Sequence, residues 1–157
     1  MRRWFYNNTV GPAGSLGLLL LRVVMGTAFM LHGWPKVQNA TGWMGPDAPV
    51  PGYLQAFAAG AEFGGGFLLI LGLLTTVASL AIGAVMVVAI TNVHLQQGHP
   101  FVNTTGGPSY ELAAIYLTCA ILLILVGPGR FSLDAMVFGE RLAGDGDLRR
   151  SRAAGGD

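Results

Sequence analysis

Four long apolar runs, separated by short polar stretches, order the chain. They cover about residues 15–34, 53–74, 77–95 and 110–126. Each is roughly 17–22 residues long, and a helix rising 1.5 Å per residue needs about 20 to cross ~30 Å of hydrocarbon. Barrel strands would be near 10 residues and would alternate, which these runs do not. Glycines inside them are compatible with membrane helices. The pattern therefore predicts an all-α, polytopic membrane protein, a four-transmembrane-helix bundle. Residues 1–138 form its membrane domain, and the charged, glycine-rich stretch 139–157 is expected to be a disordered tail. Arg2 and Arg3 before the first run resemble a signal peptide. The run is too long for one, contains Arg22 and lacks an A-x-A-like cleavage site, so it reads as a retained helix.

Within the runs, small and polar residues fall on helical stripes. Arg22, Gly26, Phe29, Gly33 and Lys36 share one face of the first span, and Ala58, Glu62, Gly65, Leu69 and Gly72 one face of the second. Small residues there let two helix backbones approach closely. Composition agrees. Hydrophobic residues are 52% and charged residues 11%, against about 25% charged in a soluble domain. So few charges could not cover a water-facing surface. The net charge of +1 and the lack of basic stretches interleaved with aromatics exclude nucleic acid as a partner. The single cysteine, Cys119, excludes an intrachain disulfide and a CxxC pair, and reads as an inert buried thiol.

Arg2 and Arg3 precede the first span, and Arg130, Arg141, Arg149, Arg150 and Arg152 follow the fourth. The loop between the first and second spans holds only Lys36, and that between the third and fourth no Lys or Arg. The positive-inside rule places both termini in the cytoplasm. Leu73 to Thr76 then form a tight cytoplasmic hairpin. The first outer loop, about 37–52, carries Trp43, Met44, Pro46, Pro49 and Pro51, and reads as a surface-lying connection or a lid.

Ionisable groups in hydrocarbon cost about 2.5–3.5 kcal/mol on insertion scales, so each needs a partner or a wet cavity. Arg22 lies ~10 Å into the first span and Glu62 near the middle of the antiparallel second, by helix rise. This predicts an intramembrane ion pair, Arg22 with Glu62, serving either as a register device or as a ligand or proton site. A second layer gathers at the outer end: His32, Lys36, Asn92, His94 and Glu111. Lys36–Glu111 and His94–Glu111 are its expected pairs. As a set, carboxylate, imidazole and ammonium suit quinone or quinol chemistry, which needs hydrogen bonds to carbonyl oxygens and proton exchange with water. The bland readings are a snorkelling Lys36 and a Glu111 stabilised at a helix N-terminus. No metal site is expected. His32, His94 and Glu111 match no ligand motif, and His32 with His94 would need a roomy apolar slot to hold a haem. Arg130 and Asp134, four residues apart, are expected to pair and cap the cytoplasmic end. No phosphate-cradling loop or catalytic triad order occurs.

Several segments together resemble the DoxX family of small four-helix bacterial membrane proteins. They are Leu21-Arg22, His32-Gly33-Trp34-Pro35-Lys36, Ala61-Glu62-Phe63-Gly64-Gly65-Gly66 and Leu71-Gly72-Leu73-Leu74-Thr75. Asn92-Val93-His94, Tyr110-Glu111-Leu112-Ala113 and Gly127 through Asp134 complete the set. The resemblance spans about residues 15–138. It implies a bacterial inner (plasma) membrane location and a place among quinone-linked redox assemblies, with other membrane or redox subunits and the lipid bilayer as partners. It fixes no catalytic residue and no cofactor, quinone being the one the outer cluster suits. The two functional expectations are a subunit of a quinone-linked redox complex and a non-catalytic structural or anchoring subunit. A transporter is disfavoured, since four short helices leave little room for alternating access.

Overall fold

The computed structural model describes residues 10–48 and 50–139. Among these the protein is all-helical. The helices are α1 (Pro12–Val37), α2 (Gly52–Leu71), α3 (Thr75–Val88) and α4 (Glu111–Val126). Two π-helical segments, Ala89–His94 and Ala135–Gly139, follow α3 and α4. Three stretches are long and apolar enough to cross a membrane: α1, α2, and α3 with its π-helical extension to His94. α4 is apolar but 16 residues long, about 24 Å by helix rise. It stops at Gly127 and Pro128, where proline cannot continue the helical hydrogen bonding.

The expected stripes face inward. Arg22, Gly26, Phe29 and Gly33 are buried on α1. On α2 the buried set includes Glu62, Gly65 and Leu69, and adds Gly66. Gly66, not Gly65, meets α1. A Cβ on Gly26 would lie 2.5 Å from the Gly66 carbonyl oxygen, and one on Gly66 would lie 2.6 Å from that of Gly26. Two backbones in contact leave no room for any side chain at either position. Gly65 instead faces Ile82 of α3. The core runs through Met25, Phe29, Leu69, Ile82, Ala120 and Leu123. Phe29 and Tyr116 bring α1 to α4, with ring centroids 4.9 Å apart.

α1 and α2 are offset along their axes. Gly26 lies against Gly66 and Ile70, Gly33 against Phe63, and Gly52 against Thr41. The start of α2 therefore sits beside the loop after α1, and its end beside Arg22. The first ten residues of α1, about 15 Å of helix, extend past the α2–α3 turn. There Ser15 and Leu18 meet the chain that follows α4 at Gly129 and Arg130. This offset decides which charged groups can meet. The expected tail at 140–157 and the arginines Arg2, Arg3, Arg141, Arg149, Arg150 and Arg152 lie outside the described residues.

Candidate functional site

Two polar centres occupy the two ends of the bundle, and neither has the predicted pairing. At the end of the α2–α3 turn, Arg22 is fully buried. It donates from Nη1 to the Leu69 carbonyl at 3.4 Å and from Nη2 to the Phe131 carbonyl. Asp134, also fully buried, interacts electrostatically with it. The Asp134 carboxylate accepts the N–H of Leu74 at 2.8 Å and of Thr75 at 2.9 Å. It thus caps the first turn of α3 from sixty residues away in sequence, satisfying N–H groups that a helix start leaves orphaned. Leu74 takes a left-handed conformation, φ 48°, which a branched side chain rarely adopts. Asp134 also donates its own N–H to Gly72 O at 2.9 Å. Gly72 has φ 65°, and a Cβ there would overlap the Arg22 guanidinium. Arg22 Nε, Thr75 Oγ1 and Ser79 Oγ are buried without a hydrogen-bond partner among the described residues.

The expected Arg22–Glu62 pair is therefore not formed. Counting residues inward from helix ends put both groups at one depth. The offset of α1 against α2 separates them, because Glu62 lies beside the Gly33–Lys36 turn, fourteen residues or about 21 Å beyond Arg22 at its far end. The expected Arg130–Asp134 pair is also absent. Arg130 donates Nε to Val10 O at 3.1 Å and its backbone N–H to Ser15 Oγ at 3.2 Å. The segment around it still closes that end of the bundle, as expected.

At the opposite end, Lys36 Nζ donates to Glu62 Oε1 at 2.6 Å. The Glu62 side chain is 4% exposed and that of Lys36 23%. Glu62 Oε2 is buried with no hydrogen-bond partner among the described residues. Lys36 Nζ also lies 4.6 Å from the centre of the Trp43 ring, within range for a cation–π contact. Trp43 is held by its indole N–H, which donates to the Gln55 carbonyl at 3.1 Å. The buried Gln55 side chain accepts from Met44 N–H and donates to Val50 O, tying the loop after α1 to the first turn of α2. Residues of this loop and the start of α2, Thr41 and Gln55 among them, line an open hollow of about 520 Å³.

The rest of the predicted outer cluster does not converge. Lys36 meets Glu62, so Lys36–Glu111 is not formed. His94 meets His99, so His94–Glu111 is not formed. Glu111 is half-buried at the first position of α4, and no hydrogen bond or ion pair holds its side chain among the described residues. His32 and Asn92 are exposed, and Asn92 Oδ1 accepts from its neighbour Thr91 at 3.2 Å. The π-helical segment Ala89–His94 is the physical reason on α3. Its wider i→i+5 turn rotates Asn92 and His94 away from the face an α-helix would give them. Among the described residues no three His, Cys, Asp or Glu side chains converge as metal ligands. Sequence reasoning missed Gln55, Trp43 and His99 as ordering residues, and Asp134 as a cap on α3. Only the polar spacing Ser132-x-Asp134 after Gly127-Pro128-Gly129 hinted at the last.

Fold and site together define a helical membrane protein in which a close glycine-mediated helix pair carries a part-buried acid–base pair at one end. Residues 17–95 match the DoxX family, and the chain belongs to that family. It is 30% identical over 126 residues to a Bacillus subtilis (strain 168) protein named "Putative oxidoreductase CatD", covering 79% of this chain and 89% of the relative. It is 27% identical over 131 residues to "Inner membrane protein YqjF" of Escherichia coli (strain K12), covering 78% and 93%. A Haemophilus influenzae protein is 28% identical over 136 residues, covering 81% and 87%. No solved structure matches the chain.

Proposed function

We propose that this protein is an inner-membrane subunit of a quinone-linked redox complex, with Lys36 and Glu62 as its headgroup site. The observation that carries the reading is the unpartnered, buried Glu62 Oε2 beside the Lys36 ammonium. A buried carboxylate oxygen without a donor is costly unless a ligand supplies one. Lys36 has three N–H groups and uses one on Glu62. The pair thus offers donors to a carbonyl oxygen and an acceptor to a hydroxyl, the complement of a quinone and its quinol. A bound quinone would supply two-electron, two-proton redox chemistry. Glu62 would hold the proton at Oε2, Lys36 would stabilise its anion, and Trp43 would cover the pair from the loop side. The relatives' names, one an oxidoreductase and one an inner membrane protein, agree with this reading. With both termini cytoplasmic, the pair sits toward the outer face.

The test is purification from native membranes in a mild detergent, with stoichiometric partners identified by mass spectrometry and quinone assayed in the extracted lipid. Redox partners and near-stoichiometric quinone are expected, with the quinone lost in Glu62→Gln while the partners remain. Recovery with partners but with quinone absent, or unchanged in the variant, would leave the anchoring role. Recovery without partners and without quinone would overturn the subunit reading altogether.

A further inference from the structure

Apart from the Lys36–Glu62 pair, another pair of ligating side chains converges at this end of the bundle. His94 closes the π-helical segment after α3, and His99 lies five residues on. Their Nδ1 atoms are 3.1 Å apart, and the rings stand edge to face at 64° with centroids 5.2 Å apart. The backbone holds them there. His99 N–H donates to His94 O at 3.0 Å, Gly98 N–H to Leu95 O at 3.1 Å, and Gly98 turns the chain at φ 68°. Both histidines are half-buried, so the pair is fixed yet reachable from solvent.

We propose that His94 and His99 form a two-imidazole site for a copper ion at this end of the bundle. Two nitrogens each about 2.0 Å from one ion, at adjacent positions about 90–110° apart, are about 2.8–3.3 Å from each other. The observed 3.1 Å falls in that range. Without metal, one Nδ1 carries a hydrogen and the other accepts it. On binding, that hydrogen moves to Nε2 of the same ring, both Nδ1 lone pairs face the ion, and no net proton is released. The donor set narrows the choice of metal. Two neutral imidazoles suit late transition ions, and copper(II) stands highest in the divalent affinity order. A structural zinc site takes four protein ligands, and no third His, Cys, Asp or Glu converges here among the described residues. Water completes the coordination.

The test uses the full chain in detergent, purified without a polyhistidine tag and titrated with cupric ion alone. One equivalent is expected to bind, with nitrogen superhyperfine structure from two imidazoles in the electron paramagnetic resonance spectrum. His99→Ala lies in the loop outside the helices and should weaken binding about tenfold or more. His94→Ala should do the same, and His32→Ala should change nothing. Zinc titrated in parallel should bind more weakly. An unchanged spectrum and affinity in His99→Ala, with its thermal unfolding unaltered, would overturn the site. So would a wild-type spectrum without two-nitrogen coupling.

Discussion

Replacing Asp134 with alanine should destabilise the protein by about 3–5 kcal/mol, well beyond the loss of an ordinary helix cap. An ordinary N-cap is worth about 0.5–2 kcal/mol. Asp134 does more, because three groups depend on it, two of them buried. Thr75 is 0% exposed, so its N–H would keep the full penalty of an unmet donor, about 1–3 kcal/mol. Leu74 is 38% exposed, so water can replace the bond to its N–H and that loss counts little. Arg22 would lose its buried counter-ion. Among the described residues no direct hydrogen bond joins the two, and Arg22 keeps two carbonyl acceptors, so its share lies below the about 3–5 kcal/mol of a broken buried pair. At about 2–4 °C per kcal/mol for a chain of this size, the midpoint should fall by about 6–20 °C. Cys119, the single thiol and half-buried, reports unfolding through a thiol-reactive fluorophore as detergent-solubilised protein is heated. Asp134→Asn keeps an acceptor oxygen without the charge, so it should fall between alanine and the wild type. Asp47→Ala, on an exposed loop residue, should change nothing. An Asp134→Ala midpoint within about 2 °C of wild type would refute the remote cap.

Two further outcomes follow from the same geometry. Gly26→Leu must displace the Gly66 carbonyl rather than a flexible side chain. It should cost about 1–3 kcal/mol or more and lower the monodisperse fraction in size-exclusion chromatography, whereas Gly60→Ala, with open space around it, should not. Lys36→Met strands the buried Glu62 carboxylate and should lower the unfolding midpoint, by about 3–5 kcal/mol at full burial and less with Lys36 partly exposed. Adding Glu62→Gln to it should recover most of the loss, as the same heating experiment reads.

Sequence by itself determined the helices. Apolar runs of membrane-spanning length left no other way to satisfy backbone hydrogen bonds in lipid, and the 3.6-residue period placed Arg22, Gly26, Phe29 and Gly33 on one buried face. A tight turn between α2 and α3, expected at 73–76 and found at 72–74, and the small-residue contact of α1 with α2 were legible for the same local reasons. Tertiary structure alone decided the partners. A stripe fixes which face of a helix is buried, but nothing in one helix fixes how far it slides along another. Gly26 docking on Gly66 set that slide, and it sent Glu62 to Lys36 and Arg22 to Phe131 and Asp134. The widened turn at Ala89–His94 re-aimed His94 toward His99, where an α-helical period would have sent it elsewhere. Asp134 found α3 across sixty residues of chain because a buried helix start has N–H groups to satisfy, a need that is local while the group that meets it is not.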